Sequence, residues 1–421
     1  MDSSAPDSPD SRAASGAGLN FILVCTFIDM LGIGLIVPVL PMLVGEFVTG
    51  RDMQAHWYGI FVTLFGFMQF IFMPLLGALS DRVGRRPVLL ISIIGVGINF
   101  LITAMATSLW MMAAGRVIGG MCSASISVAN AYAADVSTPE NRARSFGKVG
   151  AAFGLGFICG PILGGLLGSV NLHLPFYVGA GLCAANATYG YFMVPESLAK
   201  HLRTPFSFAR ANPLASLKHL ASRADIGGLV AVFALVTFSQ ILLQTTWVLY
   251  THFRFDWGPR ENGMALFCVG IVAAVVQAGM LGWLIRVFGE VRLSLLGLAS
   301  GAIVFVLYGS ATQGWMMYVF ILCNVLAFAA GPALQGIASK ATDPRQQGAL
   351  MGSLQALGSL AMVIVPLLGN SVLAEVSSYP SNDWRIGTTF YFGAALQAIA
   401  LVVAWRYFSA HRAVQAAARA E

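Results

Sequence analysis

Apolar residues fill twelve long stretches of the chain, at 19–44, 56–79, 87–106, 109–133, 146–169, 174–194, 225–250, 262–285, 293–311, 314–338, 347–373 and 386–408. Within each stretch the apolar character runs all round and does not alternate with polar positions. Alternation would mark the strands of a membrane barrel. A helix satisfies its own backbone hydrogen bonds and needs about 20 apolar residues to cross the hydrocarbon. The pattern predicts an all-α polytopic membrane protein with twelve transmembrane helices, numbered here spans 1 to 12. The polar remainder divides the chain further. Residues 1–18 are rich in Ser, Pro and Asp and read as a disordered cytoplasmic tail. Residues 195–224 read as a connector between six-helix bundles at 19–194 and 225–408, with NPLASLKHL as a short surface helix, and 409–421 as a second cytoplasmic tail.

Composition agrees with the pattern. Charged residues make up 10% of the chain, against about 25% in soluble domains. The net charge of +6 would suit a nucleic-acid partner, but the placement of the charges excludes one. Nineteen Lys and Arg residues fall on the side of the N-terminus, four on the opposite side and one, Arg116, inside a span. That asymmetry puts both termini in the cytoplasm by the positive-inside rule. The start of the chain lacks the basic region and small-residue cleavage site of a signal peptide, which fits a bacterial inner membrane. Each of the six cysteines lies inside an apolar stretch, with no metal-type spacing, so packing is their expected role. Neither a metal nor a cofactor is expected, and no nucleotide-binding motif suggests that ATP drives the protein.

The two halves repeat. At a constant offset of 205 residues Gly77 meets Gly282, Gly84 meets Gly289, Pro139 meets Pro344, Gly147 meets Gly352, Pro161 meets Pro366 and Gly164 meets Gly369. Parallel repeats of this kind rock about a site near the bilayer midplane. The chemistry is not repeated: Asp29 meets Ala234 and Arg116 meets Ile321.

Four features carry candidate chemistry. The turn between spans 2 and 3 reads GALSDRVGRRP. Its Gly77 and Gly84 permit close helix approach and a tight turn. Asp81 can face the positive N-terminus of a neighbouring helix, and Arg82, Arg85 and Arg86 can bind carboxylates or lipid phosphates. The plainer alternative is a cationic membrane anchor. In span 1, Asp29 sits about ten residues deep, roughly 15 Å at the helical rise, and Pro38 and Pro41 are expected to bend or end the helix. An ionised Asp there costs about 2.5–3.5 kcal/mol, so it faces a cavity or a partner, or is protonated. In span 4, Arg116 is the other charge well inside a span. The expected function of the two is proton coupling, with Arg116 modulating Asp29; the alternative is a static buried pair. Span 5 carries Gly154, Gly156, Gly160, Pro161, Gly164 and Gly165, small faces for close helix contact and a proline for a bend. The polar residues Gln69, Asn99, Asn130, Gln240, Gln244, Gln277, Asn324 and Gln335 are candidates for a substrate cavity, each with interhelix hydrogen bonding as the alternative.

GxxxDRxGRR is among the most specific motifs of the major facilitator superfamily, which the chain resembles over residues 19–408. The glycine pattern of span 5 is similar to that of its antiporters. Within the superfamily the chain looks most like the tetracycline/proton antiporter group. DMLGIGLIVPVLP, PLLGALSDRVGRRPVLL, NRARSFG, GPILGGLLG and GPALQG carry that resemblance. It implies that Asp29, Arg116, Gln69 and Gln277 fall on the group's functional positions. Three positions depart: Asn99 replaces an acidic residue of span 3, Ala273 a histidine of span 8 and Ser300 an aspartate of span 9. The expectation is a monomeric, proton-coupled efflux antiporter of a small amphipathic organic molecule, with membrane lipid as its surroundings and tetracycline as one candidate substrate. The alternative on the same fold is an importer or facilitator of a small metabolite. An enzyme would need paired carboxylates, a His/Cys dyad or a metal cluster within the membrane, and the spans offer none.

Overall fold

The computed structural model describes residues 9–123, 125–138, 141–205, 227–340 and 347–417, and every regular element among them is helical. Ten of the helical stretches are long and apolar enough to cross a membrane, and the bent pair Gly314–Cys323 and Val325–Lys340 makes an eleventh. Span 6 is the twelfth expected segment. It is a helix, Leu174–Met193, diluted in apolar character by Asn186, Thr188 and three tyrosines. It buries Asn186 against span 1, whose Cys25 Sγ donates to Asn186 Oδ1 at 3.0 Å. The fold class is therefore the expected one. One boundary differs, and one reading falls outside the described residues. The first helix begins at Pro9, inside the segment read as a tail, and NPLASLKHL lies outside the described residues.

Four spans are interrupted. Span 1 breaks into a turn between Ile36 and Leu40, at Pro38, because a proline ring cannot follow a helical residue without a clash. Span 4 breaks at Ser123, between Leu109–Cys122 and Ser125–Asp135. Span 8 contains a π-helical turn, Val275–Met280, between Pro259–Ala274 and Leu281–Phe288. Span 10 is broken at Asn324 with a bend of 45°. Span 5, by contrast, runs unbroken from Arg142 to Val170 through Pro161.

The chain forms two compact units. Residues 1–39 and 71–212 make one, and 40–70 and 213–421 the other. The repeat-based division had assigned 40–70 to the first bundle. Span 2 explains the difference. Side chains at Gly59 and Gly66 would collide with the Pro366 and Met362 carbonyl oxygens of span 11, at 3.1 and 2.7 Å. That close approach groups the first part of span 2 with the second unit.

Within each unit the repeat is visible as architecture. In the first, span 1 packs along spans 5 and 6, and span 3 against spans 4 and 6. In the second, span 7 packs along spans 11 and 12, and span 9 against spans 10 and 12. Gly84 and Gly289, 205 residues apart, open spans 3 and 9 with φ of 115° and 73°. Side chains rarely adopt that region, so both turns require glycine. Large apolar residues such as Ile91, Ile98, Leu163, Ile303 and Val402 remain exposed, as lipid-facing residues do. Exposed Trp110, Trp315 and Trp384 stand at span ends predicted to face outward, where indole rings favour the interface.

Candidate coupling and substrate site

Asp29 is 6% exposed, in the middle of span 1. The helix that carries it is fixed on one side by span 5. A side chain at Gly34 would meet Gly160 Cα and Pro161 Cδ at 2.8 Å, and one at Gly156 would meet the Phe27 carbonyl at 2.5 Å. Gly164 lies equally close to Leu35. Gly156, Gly160 and Gly164 thus form one glycine seam, spaced four residues apart. Gly154 belongs to another face, with nothing within reach of an added Cβ. The span 5 pattern therefore splits into seam glycines and an open one.

Arg116 is also 6% exposed. Its Nη2 donates to Thr103 Oγ1 at 3.3 Å, and Thr103 Oγ1 donates to the Asn99 carbonyl at 2.8 Å. Asn99 is 1% exposed and lies against Gly115 and Gly119, so close that a Cβ on Gly119 would stand 2.8 Å from its Cγ. Asn99 thus belongs to the packed joint that holds Arg116. Thr103 was not legible from sequence, because a threonine inside a span ordinarily bonds only its own helix backbone, as this one also does to Asn99.

At the turn between spans 2 and 3 the charges form a cluster. Arg85 binds Asp81, Asp135 Oδ2 at 3.2 Å and Ser80 Oγ at 2.7 Å. Ser197 Oγ donates to the same Asp135 oxygen at 3.0 Å. The anion at the N-terminus of span 3 is Glu196, not Asp81. Glu196 Oε1 accepts from the Arg85 amide at 2.7 Å, and Oε2 from the Arg86 amide at 3.3 Å. A carboxylate there satisfies orphan amides and meets the positive end of the helix dipole. Arg86 Nη2 donates to the Tyr191 carbonyl at 2.5 Å and its guanidinium stands 5.8 Å from that ring. Arg82 is exposed at the end of span 2, and Gly77 faces open space.

In the second unit a cavity of about 310 Å³ is lined by Gln240, Gln244, Gln277 and Asn324. These are four of the eight polar residues singled out above. The fifth amide, Gln397, escaped sequence reading. It is 3% exposed and donates from Nε2 to Ser239 Oγ at 2.7 Å. Of the other candidates, Asn130 and Gln335 are exposed, Gln69 is half-buried, and Gln335 lies outside the cavity lining. Among the described residues no group of three His, Cys, Asp or Glu side chains could hold a metal.

The sequence profile of the Major Facilitator Superfamily matches residues 22–366. The chain belongs to this superfamily. Tetracycline resistance protein class C of Escherichia coli is 37% identical over 378 residues, 90% of this chain and 95% of its own length. The class B protein of the same species is 36% identical over 372 residues, 88% and 92% of the two chains. Among solved structures, the human organic anion transporter MFSD10 superposes with a TM-score of 0.67 at 25% identity, covering 94% of this chain and all of its own. The superfamily consists of transporters, and this chain is a multi-pass membrane transporter of a small molecule.

As a major facilitator protein the chain keeps its two halves alike in backbone while inverting a charge. The Arg85–Asp135 pair recurs 205 residues later as Glu290–Lys340, with Lys340 Nζ 2.7 Å from Glu290 Oε1. The same two positions are bridged in each unit, with the signs exchanged.

Proposed function

We propose that this transporter is a proton-coupled efflux antiporter for a small amphipathic organic molecule. It works as a monomer in the bacterial inner membrane, with both termini cytoplasmic. The halves 19–194 and 225–408 rock about a central path, and 195–224 joins them on the cytoplasmic side. The observation that carries this reading is Asp29, a carboxyl buried to 6% exposure in mid-span on a helix fixed by the glycine seam. A buried carboxylate is costly, and protonation removes the charge. Taking up a proton at Asp29 therefore favours the state in which its surroundings are drier, and releasing it favours the other. Arg116, held by Thr103, is the other buried charge of the same unit and takes the modulating role. The kinship with tetracycline resistance proteins supports efflux and makes tetracycline the first compound to try.

The test is gradient-driven accumulation in everted vesicles, with tetracycline and a panel of amphipathic drugs. Wild type accumulates a compound only while the gradient stands, and Asp29→Asn does not. Equal accumulation by the variant would remove Asp29 from the coupling step. Gradient-driven loss from preloaded everted vesicles would favour import.

A further inference from the structure

Two arginines predicted to lie on the outer face meet the last turn of span 7, and they are held in opposite ways. Arg254 is 7% exposed. Its Nε donates to the Ala311 carbonyl at 2.7 Å, between spans 9 and 10. Its Nη1 donates to the Ser381 and Asp383 carbonyls at 3.3 and 2.5 Å, before span 12. Four residues earlier, the buried Tyr250 donates from its hydroxyl to the Tyr308 carbonyl of span 9 at 2.6 Å. The Tyr250 ring meets Phe390 of span 12 with centroids 4.4 Å apart. Residues four apart share a helix face, so one face of span 7 is pinned to spans 9 and 12 and to the loops beside them. Breaking these bonds would leave a buried guanidinium and a buried hydroxyl unpaired. This end of span 7 therefore stays fixed to its neighbours.

The neighbouring residue serves the opposite purpose. Phe253 is buried, and the guanidinium of Arg51 stands 5.5 Å from its ring centroid. Arg51 opens span 2 and is exposed. Together with Asp52, Ala374, Glu375, Ser377 and Ser378 it lines a polar notch of about 440 Å³, between the start of span 2 and the end of span 11. The tight approach of span 2 to span 11 at Gly59 lies about two turns further in, so Arg51 stands at the outer edge of that joint. A cation over a ring is a weak contact at an exposed site. Burial thus decides which of the two contacts yields: the bonds of Arg254 persist, and Arg51 is free to leave the ring.

We propose that Arg51 and Phe253 form an outer latch of the transport cycle, and that Arg254 is the positioning residue that holds its platform still. The latch closes the outer edge where span 2 meets spans 7 and 11. When the path opens outward, Arg51 leaves the ring and turns into the notch, where Glu375 supplies a carboxylate. The bonds of Arg254 stay intact, so Phe253 waits in place for the next closure. The inference rests on the rocking motion proposed above and not on its coupling to protons.

The experiment measures labelling of a cysteine at the floor of the notch. Ala374 lines it yet is 2% exposed, so the reaction of Ala374→Cys with a charged, membrane-impermeant maleimide reports opening of the latch. The full chain is labelled in spheroplasts, which present the outer face, and the chain without Ala374→Cys supplies the background. Arg51→Gln and Phe253→Leu should each speed labelling about two- to fivefold, as loss of an exposed cation–π contact does. Arg51→Lys, which keeps the cation, should label as slowly as the parent. Arg260→Gln removes an exposed cation of the same face outside the latch and should change nothing. Arg254→Gln should speed labelling where Arg51 is present and add nothing in the Arg51→Gln background, whereas a merely structural role would add in both. Arg51 is exposed, so its variants remain informative if Phe253→Leu or Arg254→Gln does not fold. Labelling that is already fast in the parent, that Arg51→Gln leaves unmoved, or that Arg260→Gln speeds equally would overturn the latch. Additive effects of Arg51→Gln and Arg254→Gln would remove Arg254 from it. Labelling as expected, alongside gradient-driven accumulation by Asp29→Asn, would leave the latch standing and remove the Asp29 coupling.

Discussion

Replacing Gly160 by alanine tests whether the seam between spans 1 and 5 can yield. The new Cβ would stand 2.6 Å from Gly34 Cα, 2.7 Å from the Leu31 carbonyl oxygen and 2.9 Å from the Gly34 carbonyl carbon. All three are backbone atoms, so no rotamer change relieves the clash. Ordinary contact begins at 3.4 Å, and the helices must therefore part by roughly 0.8 Å. A gap of that size forfeits about a quarter to a half of each dispersion contact along the seam, and overpacking of this kind costs about 1–3 kcal/mol. Gly154→Ala is the control in the same helix. Nothing lies within 4 Å of its added Cβ, and alanine gains up to about 1 kcal/mol in helix propensity. Both substitutions gain the same propensity, so the two variants should differ by the overpacking term of about 1–3 kcal/mol, with Gly160→Ala the less stable. Thermal unfolding of the purified proteins measures the difference, and vesicle accumulation measures its consequence for Asp29, which lies on the displaced helix. Equal melting of the two variants would refute the reasoning, and so would full transport by Gly160→Ala.

Glu196→Gln removes the charge and one acceptor from the N-terminus of span 3; it should cost about 0.5–2 kcal/mol, and an unchanged melting temperature would count against the capping role. Asp135→Asn should destabilise by about 1–3 kcal/mol, because its Arg85 partner is 12% exposed. Lys340→Gln should cost under about 1 kcal/mol, because Lys340 is 71% exposed; equal effects would mean that exposure does not govern these pairs. In the loop before span 12, the side-chain hydrogen bond from Arg385 lowers the Asp383 pKa to about 2. A carboxyl depressed below its unfolded value of about 3.9 stabilises fully above that value and loses the contribution as pH falls through about 2. The stability difference between wild type and Asp383→Asn should therefore shrink to nothing across that acidic window, and a constant difference would refute the pairing.

The spans were legible because membrane insertion acts on every residue of a segment. Composition alone fixes where a helix must run, and the structure follows those limits closely. The interruptions were not legible. Val275–Met280 is as apolar as an α-helical turn, and Asn324 resembles any polar residue in a span. Whether such a residue bends a helix depends on neighbours distant in sequence. Distance also hid Glu196, which reaches its helix across 111 residues. Arg254 is one of the four Lys and Arg residues on the side opposite the N-terminus, where a charge is expected to be solvated, yet it is 7% exposed. Its Nε donates to the Ala311 carbonyl at 2.7 Å and its Nη1 to the Asp383 carbonyl at 2.5 Å, so it ties two loops together. The glycines of span 5 show the same limit within one motif. Their number announced a close contact, but only the period of four in Gly156, Gly160 and Gly164 separates the seam from Gly154.

The internal repeat separates what the fold requires from what the function requires. Positions governed by backbone geometry agree between the halves: the positive-φ glycines at 84 and 289, and the same four helix pairings in each unit. Positions governed by side-chain chemistry diverge. Asp29 and Arg116 have only Ala234 and Ile321 as counterparts, and the 85–135 bridge reverses its signs at 290–340. The cavity of the second unit is lined by amides and carries no charge among its described residues. The proposed proton coupling therefore rests on the first half alone, where Asp29 and Arg116 lie. If coupling rests on Asp29, the second half takes part in transport with only Ala234 at the corresponding position.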